Sequence, residues 1–235
     1  MKYRAILFDL DGTLLPMDLD EFTKGYFRLL IEKVSPYGFS AETLFPAMWK
    51  GVAAMTANDG TRKNCEVFWE AFSNILGPWV YDHIPVFDSF YENEFYAAAA
   101  FTSPTEKARL AVELARKKAE KVVLATNPLF PFEAVKARLD WTKINTNEFD
   151  LITNYSNSSF CKPNKRYYLD IAEKLGVLPS ECLMIGNDTA EDANASMRAG
   201  MSAFLLTDCL ICNGDMPICP SGDFDELIEY INMIN

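Results

Sequence analysis

The sequence predicts an α/β fold, a doubly wound (Rossmann-like) parallel sheet carrying an inserted all-helical domain, and three observations predict it. The apolar run Ala5-Ile6-Leu7-Phe8 opens the chain and stops in an acidic glycine turn, Asp9-Leu10-Asp11-Gly12. From Ser103 onward, short β-type runs alternate with amphipathic segments, the pattern of strands joined by crossover helices. Between these parts, roughly residues 15 to 100 read as helical throughout.

In chain order, the first strand is Ala5–Phe8. The polar stretch Asp18-Leu19-Asp20-Glu21 starts a helix, and the helical region is rich in aromatics such as Phe22, Tyr26, Phe27, Phe45, Trp49 and Phe95. Phe68, Trp69, Phe72 and Leu76 share one helical face, so most of these rings are expected in a packed bundle core. Breaks are expected near Pro36-Tyr37-Gly38, Asn58-Asp59-Gly60, Gly77-Pro78 and Pro85. Ser103-Pro104-Thr105-Glu106 combines an N-cap residue, a proline at the first helical position and a glutamate three residues on, and starts a helix running to about Lys118.

The remaining elements alternate. Strands are expected at Val122–Thr126, Leu151–Thr153, Leu183–Ile185 and Ala203–Leu206. Helices are expected near Phe132–Leu139, Lys165–Leu175 (ending at Gly176), Thr189–Ala199 (ending at Gly200) and Phe224–Ile231. The division that follows is residues 1–15 and 101–235 for the sheet core and 16–100 for the helical domain. The segment Thr207–Pro220 is expected to be a surface loop.

Composition narrows the function classes. With 235 residues the chain is long enough for a substantial core, and 49% hydrophobic with 23% charged residues is ordinary for a globular protein. A formal net charge of −11 repels nucleic-acid phosphates and no basic patch interrupts it, so no nucleic acid polymer is expected as partner. No apolar stretch approaches the ~20 residues that cross a bilayer, so no membrane association is expected and the location expected is cytoplasmic. Six cysteines are spread through the chain and are expected reduced there; Cys209-x-x-Cys212 with Cys219 lacks the second pair a zinc site needs. The single histidine, His83, is remote from every candidate motif, which weighs against Ser-His-Asp chemistry.

Ligands of a doubly wound sheet sit at the carboxyl ends of its strands. The first strand ends in Asp9 and Asp11. A calcium loop counted from Asp9 fails, because its sixth and twelfth positions hold Leu14 and Asp20 instead of glycine and glutamate. A strand that unwinds here lets both carboxylates converge on one crevice with a hard cation such as Mg²⁺, the first as a nucleophile on phosphorus, the second as a proton shuttle. The second strand ends in Thr126-Asn127-Pro128, with a hydroxyl and an amide that could equally cap a helix. The loop after the third leads to Lys162-Pro163. The fourth ends in Gly186-Asn187-Asp188 with Asp192 four residues on, carboxylates that could also complement a helix dipole. All four segments falling on one edge in this order is more than capping chemistry requires.

With these residues in place, the chain resembles the haloacid dehalogenase superfamily. Asp9-Leu10-Asp11-Gly12-Thr13 matches its first motif, Thr126-Asn127 looks like its second, Lys162-Pro163 its third, and Gly186-Asn187-Asp188 through Asp192 its fourth, while the helical insert occupies the place of that family's cap. The resemblance implies a phosphoric monoester hydrolase that works on a small phosphorylated metabolite. It makes Asp9 the nucleophile that forms an aspartyl-phosphate. Asp11 is then the acid/base, whose carbonyl also ligates the metal, and Asp188 completes a Mg²⁺ site. Thr126, Asn127 and Lys162 hold the phosphoryl oxygens, and Asp192 orients Lys162 or a metal-bound water.

The family's dehalogenase branch lacks an acid at the position of Asp11 and needs no metal, so Asp11 with Asp188 points to phosphate chemistry. The alternatives are a phosphosugar mutase using the same core residues and a catalytically idle binding module. A monomer or homodimer is expected. Met17, Phe22, Trp49, Lys50 and Asn58 are candidates for lining the substrate pocket, although core packing explains the apolar ones equally well.

Overall fold

A computed structural model of the protein describes residues 2–234. Six strands, β1 (Ala5–Phe8), β2 (Lys121–Leu124), β3 (Leu151–Ile152), β4 (Cys182–Gly186), β5 (Ser202–Leu206) and β6 (Ser221–Gly222), form one sheet in the order β3-β2-β1-β4-β5-β6. Every strand pairing is parallel. This is the doubly wound order, and the winding reverses at β1, which opens a crevice beyond the carboxyl ends of β1 and its neighbours. β6 is only Ser221-Gly222, with no apolar or β-branched side chain, which is why it is absent from the sequence expectation.

The helices in chain order are α1 (Leu19–Val34), α2 (Ala41–Thr56), α3 (Asn64–Leu76), α4 (Ile84–Glu92), α5 (Glu106–Lys118), α6 (Phe132–Thr142), α7 (Lys165–Leu175), α8 (Ala195–Arg198) and α9 (Phe224–Met233). Side chains alternate across each strand and both faces of the inner strands are covered, so β1 and β4 are buried along their whole length. Ile6, Phe8, Val122, Leu124, Leu183 and Ile185 join a core with Ala111 and Val112 of α5 and Leu227 and Ile231 of α9. Ala5, Leu7, Val123 and Met184 face the other way, against Tyr167, Tyr168 and Ile171 of α7.

Between residues 19 and 101 the only regular elements are helices and 3₁₀ turns, so the all-helical insertion after the first strand is present. Asp18 accepts from the amides of Asp20 and Glu21 and so starts α1. Aromatic rings fill the interior of this region, with Phe68 stacked on Phe72 at 5.6 Å and Tyr26 edge-on to Phe95 at 5.8 Å. The insertion is tied to the sheet core by backbone bonds from Asn64 and Cys65 to the carbonyls of Ser158 and Tyr155.

The break expected near Pro85 is present: a 3₁₀ turn, Pro78–His83, ends there and α4 begins, with Pro85 in its first turn, where its missing N–H costs nothing. Two local expectations are corrected. The N-cap of α5 is Thr105 rather than Ser103, because the Ser103 amide is bonded to the Pro16 carbonyl where the chain re-enters the core. The segment Thr189–Asn194 is a wide π-type turn continued by the short α8, with the Ala193 amide reaching back to the Asp188 carbonyl. No described helix is long and apolar enough to cross a membrane.

Candidate active site

The register fixes where the acidic turn falls. Phe8 pairs with Leu124 on one side and Ile185 on the other, so Asp9 emerges level with Ala125 and Gly186. Gly12, at φ +82°, turns the chain here, and Thr13 Oγ1 donates to Asn187 Oδ1 at 2.8 Å, linking the ends of β1 and β4.

Lys162 stands at the centre of the site. It is 1% exposed, and its ammonium donates to Asp9 Oδ1 at 2.7 Å and to Asp192 Oδ1 at 2.6 Å. Burial disfavours the lysine's charge, but Asp192 and Asp9 more than offset this and raise its pKa well above the ordinary value, so it stays an ammonium. Burial also raises Asp9, against the pull of Lys162, and pushes Asp192 up to about 6. The other oxygen of Asp192 accepts the amides of Asn187 and Asp188, so one carboxylate orients both the lysine and the end of β4.

Asp11 has a partner that the sequence reading did not identify. Arg138 of α6 is wholly buried, donates through Nε to the Ala134 carbonyl, packs its guanidinium over the Phe130 ring at 4.5 Å, and forms an ion pair through Nη1 with Asp11 Oδ2. Asp11 Oδ1 and Arg138 Nη2 are buried with no hydrogen-bond partner. Burial raises the Asp11 carboxyl and the Arg138 charge opposes the shift. A signal was available: Arg138 lies one turn beyond Ala134 and Val135, on the buried stripe of an otherwise ordinary helix.

Asp188 caps the turn that follows β4, its Oδ1 accepting the amides of Ala190 and Glu191. The segment Thr207–Pro220 is more than a surface loop. Ile211 and Asn187 bond through their backbones, Cys209 O accepts from Asn187 Nδ2, and Asn213 Nδ2 donates to Asp188 Oδ2 at 3.2 Å. Asn213 thus touches the fourth motif from a region without periodic signal. The six cysteines are free thiols.

Thr126 is buried, and its carbonyl accepts from Thr153 Oγ1 and the Tyr167 hydroxyl. Asn127 is engaged within the protein: its Nδ2 donates to Glu191 and its Oδ1 accepts the Lys162 amide. Asp9, Asp11, Thr126, Asn127, Lys162, Asp188 and Asp192 therefore all lie at the carboxyl edge of the sheet, most of them linked by the bonds above. Of the pocket candidates, Phe22 and Trp49 line a cavity of about 200 Å³ that reaches Asp11. Met17 lies in a different groove, Lys50 is exposed, and Asn58 is engaged with Arg62 and Asn64.

Among the described residues no three His, Cys, Asp or Glu side chains form a metal cluster. Magnesium needs less, since it commonly binds through one or two carboxylates with waters and substrate oxygens. Asp9 and Asp188, with the Asp11 carbonyl, offer hard oxygen donors of that kind. The donor set fits Mg²⁺.

The family model of haloacid dehalogenase-like hydrolases matches residues 3–200. No curated protein matches the chain in sequence. Among solved structures, the 2-haloacid dehalogenase of Pseudomonas syringae pv. Tomato DC3000 is similar at TM-score 0.64 and 14% identity, covering 98% of each chain. The HAD-hydrolase YfnB of Bacillus subtilis, bound to magnesium, is similar at TM-score 0.60 and 18% identity, over 99% of this chain and 100% of that one. The HAD phosphatase of Thermococcus onnurineus is similar at TM-score 0.59 and 19% identity, over 97% of each. At these identities the likeness is one of fold, and it is shared by phosphatases and dehalogenases alike.

Proposed function

The chain belongs to the haloacid dehalogenase-like hydrolases, and on that premise we propose that it is a Mg²⁺-dependent phosphatase that hydrolyses a small phosphomonoester through an aspartyl-phosphate. The observation that carries this reading is the pair of acids at the end of β1, each with its own buried cation: Asp9 with Lys162 and Asp11 with Arg138.

Asp9 attacks phosphorus through the oxygen not held by Lys162, forming an O–P bond as the ester O–P bond breaks. Asp11 Oδ1, which has no partner in the protein, gives its proton to the departing oxygen. In the second half-reaction Asp11 takes the proton of a water that attacks phosphorus, and Asp9 leaves as a free carboxylate. Lys162 and the groups at Thr126 and Asn127 neutralise and hold the phosphoryl oxygens, and Arg138 positions Asp11. Mg²⁺ held by Asp9, Asp188 and the Asp11 carbonyl would supply charge neutralisation on the transferring group. Residues 16–100 act as the cap that shields the site from water.

Hydrolysis of p-nitrophenyl phosphate with and without Mg²⁺, beside halide release from a 2-haloacid, tests the reading. Metal-dependent phosphate release without halide release supports it. Halide release from the haloacid, or no turnover of any phosphate ester, sinks it. Isomer formation from a sugar phosphate without inorganic phosphate would assign the mutase instead.

A further inference from the structure

The cavity beside Asp11 has walls that include Phe27, Trp49, Phe68, Trp69, Tyr91 and Phe130. Its polar groups, among them Thr23, Tyr26, Trp69, Tyr91, Tyr155 and two acids, are a minority of the lining. The hydroxyls of Tyr26 and Tyr91 bond each other at 2.8 Å, and burial keeps both phenols neutral by raising their pKa values. No lysine, arginine or histidine lines it; the charged residues that do are Asp11 and Asp88. Asp11 is paired with Arg138, whereas Asp88 is half-buried, enters none of the ion pairs among the described residues, and has Glu92 and Glu133 as its charged neighbours. Burial first, and these two carboxylates second, raise the Asp88 pKa.

Such a space discriminates by charge and polarity. A carboxylate or second phosphate buried here would meet aromatic faces and acids with no cation to receive it. A sugar would lose its water bonds with few replacements from a lining that is mostly aromatic and aliphatic, whereas an apolar ring would gain contact area. The size is right for one ring: a cavity of about 150 Å³ lined by apolar side chains holds benzene, and this one is about 200 Å³.

We propose that the alcohol released by this enzyme is an uncharged, largely apolar group about the size of one substituted ring, seated in this cavity, and that a second anion on it is rejected. This rests on the phosphatase reading of the same site.

The test compares kcat/KM, with Mg²⁺ present, for benzyl phosphate, glycerol phosphate and phosphoglycolate. Benzyl phosphate is expected to lead both by at least about tenfold; equal or better turnover of phosphoglycolate or glycerol phosphate overturns the proposal. The Asp88→Asn variant is expected to raise kcat/KM for 4-carboxybenzyl phosphate relative to benzyl phosphate, and an unchanged ratio counts against the charge argument. Calorimetric binding of benzylphosphonate against phosphonoacetate separates the two readings, because it needs no turnover. Preference for benzylphosphonate together with no hydrolysis of any ester would sink the phosphatase reading and leave the cavity assignment standing. Preference for phosphonoacetate, or binding of neither, would sink the cavity assignment.

Discussion

Lys162 and Asp9, 153 positions apart in the chain, meet in a 2.7 Å buried ion pair, and Asp192 holds the same ammonium from its other side. Removing one member of such a group leaves an uncompensated buried charge, a loss of about 3–5 kcal/mol. Lys162→Met is therefore expected to destabilise the fold by about that much and to abolish turnover. The double variant Lys162→Met/Asp192→Asn should recover part of the stability and none of the activity. Urea denaturation of the three proteins checks this, and a single variant as stable as wild type would contradict the pairing.

Arg138 ties α6 to the proposed acid/base. Arg138→Met should lower kcat by roughly 10²-fold or more, since a positioned proton donor contributes on that scale. KM for an aryl phosphate should change little, because the guanidinium is not among the residues lining the cavity. Arg138→Lys, with a point charge and no fork, should restore only part of the rate. An unchanged kcat in Arg138→Met would remove Arg138 from the account.

Gly12 holds φ +82°, and a Cβ there would lie 2.4 Å from Asn187 Nδ2. Gly12→Ala should cost about 1–3 kcal/mol in backbone strain alone and push Asn187 away from Thr13. Thermal denaturation gives the first quantity and the rate of aryl phosphate hydrolysis the second. A variant with wild-type stability and rate would show that the turn is not strained.

Asp150 gives a pH-dependent case away from the site. Burial would raise its carboxyl, but the Val122 amide, Lys121 and Arg116 outweigh this, and its pKa lies below the ordinary 3.8. A depressed folded-state pKa contributes stability that is present above the unfolded value and lost as pH falls through the folded one. Asp150→Asn is thus expected to be less stable than wild type at pH 7, by about 1 kcal/mol, because Lys121 and Arg116 are well exposed and solvent screens their pairs with it. The gap should narrow as pH falls below 3.8. A gap that stays constant with pH would refute the assignment.

The sheet and its acidic edge were legible because period and punctuation carry them. Ala5–Phe8 stops at a glycine turn, and Lys165–Leu175 stops at Gly176, which holds φ +67°. The positions of Asp9, Lys162 and Asp188 followed from which end of each strand they terminate. Arg138 escaped because a charged residue in a helix is read as solvated, although its place one turn after Ala134 marks it as buried. Asn213 escaped because it acts from an irregular segment, where no period exists to read. Asn58, expected at the pocket, is instead engaged in holding the loop before α3 through Asn64.

The central claim is that Asp9 carries the phosphoryl group. Acid quench of the enzyme during turnover of an aryl phosphate with Mg²⁺, followed by peptide mass analysis, measures it most directly. The account predicts the mass of one phosphoryl group on the peptide containing Asp9, and neither adduct nor turnover in a folded Asp9→Asn variant. Undiminished hydrolysis by Asp9→Asn, or an adduct on any other residue, would contradict it.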